Sequence, residues 1–216
     1  MRQKNLFLAS YFTGVAKRFA DFAGSDFAGK RVAFIPTASL PETVTFYVEA
    51  DRKALVKLGF KVCELEISTA SAGEIAQGLE AADYIFVTGG NTFFLLQELR
   101  RTGADAAIVR QIDNGKPYIG VSAGSMILAP TIEYAQLMDD AAAAPRLNGD
   151  FSALAVVDFC VVPHFTNVPF KKAAQKIVAE YAPRLDLRPI SNHQAIMARG
   201  DRVEVVAAPQ TKGTKK

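Results

Sequence analysis

A serine sits where a short apolar run gives way to small residues, in Tyr118-Ile119-Gly120-Val121-Ser122-Ala123-Gly124-Ser125. Tyr118–Val121 reads as a buried strand, and the stretch from Ala123 through Met126-Ile127-Leu128 reads as a helix start. A serine at such a strand-to-helix turn is a nucleophile elbow, with Oγ held up at the end of a sheet. Gly120 and Gly124 leave room for strand, helix and substrate to approach one another. The first N–H groups of the following helix lack intrahelical acceptors, and they point to where an oxyanion would form. A second segment, Thr88-Gly89-Gly90-Asn91-Thr92, follows the apolar run Tyr84–Val87 and precedes a helical pattern. Its glycines can turn backbone N–H groups inward, which makes Gly90 and Ala123 candidate oxyanion-hole donors. Asn91 and Thr92 are candidate helix caps and, at the same sheet edge, candidate substrate contacts.

A serine hydroxyl is a weak nucleophile until a neighbouring base accepts its proton. The chain has two histidines, so the candidate bases can be counted. His164, in Pro163-His164-Phe165-Thr166-Asn167, leaves a strand-like run and is the stronger candidate, whereas His193 lies in the polar loop Ser191-Asn192-His193-Gln194. An orienting partner for the imidazole is open between Asn192 and the carboxylates Asp139, Asp140, Asp158 and Glu133. An amide can serve, without supplying charge. Lys171, Lys172 and Arg146 are candidate contacts for an acidic substrate group. Two separated histidines and two cysteines in strand-like runs offer no zinc spacing, so no metal or other cofactor is expected. Gly89-Gly90 is not a phosphate loop, because no Lys-Ser/Thr follows it.

Elements must bring these segments to one edge. Apolar runs at Leu6–Ala9, Arg31–Ile35, Lys61–Leu65, Tyr84–Val87, Tyr118–Val121 and Val156–Val162 read as strands. Helical patterns lie at Gly14–Phe22, Thr43–Leu58, Ser71–Leu79, Phe93–Arg101, Asp105–Asn114 and Phe170–Tyr181. Ser71-Ala72-Gly73-Glu74 fits a capping box. Such alternation predicts an α/β fold with a mostly parallel sheet, in which ligands gather beyond the carboxyl ends of the strands. Ala195–Arg199 and Arg202–Val206 flank Gly200-Asp201 as an antiparallel hairpin at the sheet edge. Pro130–Leu154 shows no clear period. Residues 1–208 read as a single hydrolytic domain and 209–216 as a basic tail.

Of the 216 residues 50% are hydrophobic and 22% charged, a globular profile, and the net charge of +3 comes with no basic stripe for nucleic acid. No stretch approaches a membrane span, and Leu6–Ala9 is too short for a secretory signal, so the cytoplasm is the expected compartment. Cys63 and Cys160 are expected to be buried thiols, not a disulfide, and the composition permits a homodimer.

Together, Gly89-Gly90-Asn91-Thr92-Phe93, Gly120-Val121-Ser122-Ala123-Gly124 and Pro163-His164-Phe165-Thr166-Asn167 resemble the peptidase E family, the S51 serine peptidases, in order and spacing. The resemblance implies a flavodoxin-like three-layer sandwich of the class I glutamine amidotransferase type, with serine in the place of that family's cysteine. It further implies hydrolysis of an acyl bond in short peptides, for peptidase E dipeptides with an N-terminal aspartate. Motif by motif, Ser122 takes the nucleophile's position, His164 the base's, and Gly90 with Ala123 the oxyanion donors'. Asn192 stands near where peptidase E places a glutamate, and Asp139 and Asp140 are loose counterparts of an alternative acid. The competing expectation is a binding or regulatory protein on the same scaffold, with a serine that does not turn over.

Overall fold

The computed structural model describes residues 3–24 and 27–209; of the basic tail, residues 210–216 lie outside the described residues. A seven-stranded sheet forms the centre. Its first strand, β1 (Asn5–Ala9), feeds helix α1 (Phe12–Ala23), followed by β2 (Arg31–Ile35), α2 (Phe46–Lys57), β3 (Lys61–Glu64), α3 (Ala72–Ala81) and β4 (Tyr84–Val87). Then come α4 (Thr92–Thr102), α5 (Ala104–Asp113), β5 (Tyr118–Val121), α6 (Ala123–Met126), β6 (Cys160–Val162), α7 (Lys171–Tyr181), β7 (Leu187–Pro189), β8 (Gln194–Arg199) and β9 (Arg202–Ala207). The strand order is β3-β2-β4-β5-β1-β8-β9, parallel from β3 through β1 and antiparallel for β8 and β9.

Strand alternation sorts the apolar residues into two cores. Leu6, Leu8, Ile85, Val87 and Tyr118 face one side, under α3, α4 and α5. Phe7, Ala9, Phe86, Ile119 and Val121 face the other, under α1 and α2, where Phe12 and Phe19 of α1 pack edge-on against Phe7 and Phe22 packs against it at a tilt. The strands buried on both faces therefore read as continuous apolar runs. Local signals set the helix ends. Ser71 and Glu74 form the capping box, the Asn91 side chain accepts from the Phe94 N–H, and Gly103 closes α4 in the left-handed region at φ 74°.

Three expectations are corrected. The run Val156–Val162 is a strand only over Cys160–Val162, because the Val156 and Val157 N–H groups both donate to the Leu128 carbonyl. That strand is not in the central sheet, since it pairs in parallel with β7, an element the sequence pattern did not reveal. The helix after Ser122 is a single turn, so its dipole is small. The irregular segment 130–154 is held by short 3-10 turns and a bridge between Thr131 and Ser152. Both cysteines are free thiols, Cys160 buried and Cys63 partly so. No helix among the described residues is long and apolar enough to cross a membrane.

Candidate active site

Parallel pairing brings the carboxyl ends of β1, β2, β4 and β5 to one edge of the sheet. Ser122 follows β5 there, its N–H donating to the Ala9 carbonyl at 2.9 Å and its backbone at φ 49°, ψ −109°. This is the strained strand-to-helix turn that lifts a side chain above the sheet. Buried Ser125 ties the turn down by donating to the carbonyls of both Ala9 and Gly120. The flanking glycines are required by contact. A Cβ on Gly120 would lie 2.3 Å from the Gly124 oxygen, and one on Gly124 would lie 2.2 Å from the Val87 oxygen.

The Gly89–Gly90 turn leaves β4 beside the elbow, where a Cβ on Gly89 would be 3.3 Å from the Ser122 Cβ. Gly90 has φ 137°, and a Cβ there would collide with the Ala38 carbonyl at 2.1 Å. Only a residue without a side chain fits there, in a conformation that other residues rarely adopt. Ala123, buried, is the first residue of the turn of helix after Ser122, so its N–H has no acceptor within that helix.

His164 reaches the same point from outside the sheet. The β6–β7 ladder continues as Ile190 N–H to Val162 O and Phe165 N–H to Ile190 O, and His164 sits between these bonds at φ 59°. Its Nε2 lies 3.0 Å from Ser122 Oγ, and its Nδ1 lies 2.6 Å from Asn192 Oδ1. Asn192 arrives because β8 runs antiparallel to β1, so the residues before β8 lie at the edge where β1 ends. Its N–H donates to Asn167 Oδ1 at 2.8 Å. Phe170 covers the imidazole with ring centroids 5.0 Å apart. Burial holds the His164 pKa below the ordinary imidazole value, and the hydrogen bond to Asn192 partly opposes that shift. A neutral imidazole with Nδ1–H donated to Asn192 leaves its Nε2 lone pair facing the serine hydroxyl.

The structure thus brings Ser122, His164, Asn192, Gly90 and Ala123 together, and it separates other candidates from the imidazole. Asp139 binds the N–H and hydroxyl of Thr92 at the start of α4, where burial raises its pKa to about 6 against the opposing pull of those bonds. Asp140 caps a 3-10 turn, Glu133 pairs with Arg184, and Asp158 is exposed. Asn91 caps α4 and donates to the Asp140 carbonyl, and Thr92 is bonded to Asp139. Lys171, Lys172 and Arg146 are exposed, the two lysines directly following Phe170. His193 is exposed and lies beside Gly14 instead of Ser122.

Sequence reasoning missed Ser10, Asn167 as a brace, and Phe170. Ser10, buried directly after β1, accepts the His164 N–H at 2.8 Å, donates to Asn192 Oδ1 at 2.8 Å and lies 3.2 Å from His164 Nδ1. Its signal was available as the first polar residue after a strand paired to the elbow strand.

The family model for peptidase family S51 matches residues 6–206. The chain belongs to peptidase family S51. This S51 peptidase is 54% identical over 200 residues to a peptidase of Listeria innocua, covering 93% of this chain and 95% of the relative. It is 33% identical over 171 residues to peptidase E of Nostoc sp., covering 76% of this chain and 66% of that one. The crystal structure of a peptidase E-type protein from Listeria monocytogenes superposes with a TM-score of 0.91 at 52% identity, over 96% of this chain and 100% of that one. The S51 peptidase is thus a peptidase E-like enzyme with a mostly parallel sheet flanked by helices.

Proposed function

We propose that this S51 peptidase is a cytoplasmic serine-type dipeptidase working through an acyl-enzyme on Ser122. The observation that carries the reading is the continuous chain from Ser122 Oγ to His164 Nε2 at 3.0 Å and from His164 Nδ1 to Asn192 Oδ1 at 2.6 Å. Ser122 Oγ attacks the scissile carbonyl carbon as its proton passes to Nε2. The N–H groups of Gly90 and Ala123 receive the oxyanion. The imidazolium returns the proton to the leaving amine, the C–N bond breaks, and an ester remains on Ser122. Water then attacks that ester with His164 again as base, and the freed acid leaves. Asn192 orients the ring and stabilises the imidazolium through its dipole alone.

Dipeptides with an N-terminal aspartate are the substrate class favoured by likeness to peptidase E, and Lys171 is the cation nearest in sequence to the ring that covers His164. Digestion of a dipeptide library, followed by mass spectrometry, tests activity and specificity together. Cleavage of Asp-X members that Ser122→Ala abolishes supports the reading. Intact dipeptides, together with a Ser122 that takes up no fluorophosphonate, would favour a binding protein instead.

A further inference from the structure

A carboxylate presents an acceptor whichever way it turns, but an amide has an accepting end and a donating end. An asparagine beside a catalytic imidazole therefore raises a problem that an acid does not. If the Asn192 NH₂ faced Nδ1, it would select the tautomer protonated on Nε2, and that nitrogen could not take the Ser122 proton. Something must fix the amide.

We propose that Ser10 is a positioning residue: its hydroxyl hydrogen, donated to Asn192 Oδ1, locks the amide orientation and through it the His164 tautomer. The inference rests on Ser122 and His164 acting as nucleophile and base. Ser10 Oγ already accepts the His164 backbone N–H at 2.8 Å. Its hydrogen has two possible acceptors, Asn192 Oδ1 at 2.8 Å and His164 Nδ1 at 3.2 Å. The shorter contact goes to Oδ1, and Nδ1 itself lies 2.6 Å from that same oxygen. Two hydrogens, from Ser10 and from Nδ1, thus converge on one oxygen with two lone pairs. Reversing the amide would remove the one oxygen that takes both hydrogens and leave the Ser10 hydroxyl, on a residue 1% exposed, to compete with the amide NH₂ for the single Nδ1 lone pair at 3.2 Å. The Asn192 main chain is pinned by Asn167, which keeps the root of the side chain beside Ser10 and His164.

The chain has only two histidines, so His193→Gln leaves a single imidazole whose nitrogen-15 shifts report one tautomer. In that protein, above the pH at which His164 titrates, the Nδ1–H form is expected, and adding Ser10→Ala should give a mixture of forms. On a cleaved dipeptide, Ser10→Ala should lower kcat/KM about tenfold, the scale of one lost buried hydrogen bond. In an Asn192→Asp background, where there is no amide to reverse, the same substitution should cost less than about twofold by the logic of a double-mutant cycle. An equal loss in both backgrounds would mean that Ser10 serves only the fold, and would overturn the proposal. So would an Nε2–H tautomer in the parent, a measurement that stands even if Ser10→Ala does not fold. If no dipeptide is cleaved, the peptidase reading fails on its own while the tautomer shift with Ser10→Ala still decides the role of Ser10.

Discussion

The nucleophile half and the base half of this site are built by opposite means. Ser122 and the Gly89–Gly90 turn leave neighbouring parallel strands, and both are fixed by ladder bonds and by glycines that admit no side chain. His164 and Asn192 come from a two-stranded annex and from the approach to an antiparallel strand, and although backbone bonds flank His164, the N–H groups of both residues are held by side chains, Ser10 and Asn167. A half made of backbone tolerates little change. A half made of side chains can be tuned, and here it carries an amide in place of an acid.

The two halves should be equally indispensable to the chemistry while differing in everything else. Ser122→Ala and His164→Ala are each expected to lower kcat/KM by about 10⁴- to 10⁶-fold, and the double variant by no more than the worse single one, because the pair acts as a unit. Steady-state assays on the best dipeptide from the library check this, with thermal melts showing both variants folded. Additive losses would mean that the 3.0 Å contact between the two side chains is not a working hydrogen bond.

This contrast also explains what could be read from the sequence. The first half was legible because strand-borne chemistry has local signatures: an apolar run, a breaker, and a nucleophile between glycines. β2, β4 and β5 fall at the predicted boundaries for the same reason, buried on both faces and bounded by polar residues or proline. His164 was found by counting, yet the strand expected to carry it was too long and belonged to another sheet. Ser10 and Asn167 escaped because their partners lie 154 and 25 positions away, and Phe170 escaped because its contact with nearby His164 depends on the turn between them, which no local pattern marks. A cap and a ligand contact look alike in sequence at Asn91 and Thr92, and the cap partners Phe94 and Asp139 emerge only in the fold.

Stability variants test the same contrast at the next scale. Gly120→Ala places a Cβ against the Gly124 carbonyl, a backbone group with no rotamer to change, so the elbow cannot give way locally. We expect a loss of about 3 kcal/mol or more, beyond ordinary overpacking. Asn167→Ala removes one side-chain bond to the Asn192 N–H in the base half and should cost only about 1 kcal/mol. Urea unfolding of both variants makes the comparison. Similar losses would mean that the base half is as rigidly built as the elbow.

The base half should respond to charge. Burial keeps His164 below the ordinary imidazole value, so the acid limb of kcat/KM, which reports the free enzyme, should lie below that of an exposed histidine. Asn192→Asp adds a negative charge at the oxygen now 2.6 Å from Nδ1 and favours the imidazolium. The limb should then move up by about one to three units, the shift an adjacent opposite charge produces. A pH–rate profile that does not move would remove Asn192 from its place behind the imidazole.

A last variant tests whether the nucleophile half is satisfied throughout. Asp51, on α2 one turn beyond Tyr47, whose ring lies over the Gly89 turn, is buried with neither carboxylate oxygen hydrogen-bonded. Burial pushes its pKa well above the usual carboxylate range. The folded chain therefore keeps a proton that the unfolded chain releases, and stability falls as pH rises from the unfolded carboxyl value through that of the folded state. Asp51→Leu should remove this dependence and stabilise the fold by about 1–3 kcal/mol at pH 8, with a smaller gain at pH 5. Urea unfolding at the two pH values measures both. An equal gain at each would mean that the carboxyl does not change protonation on folding, and that the cost at this position is one of packing alone.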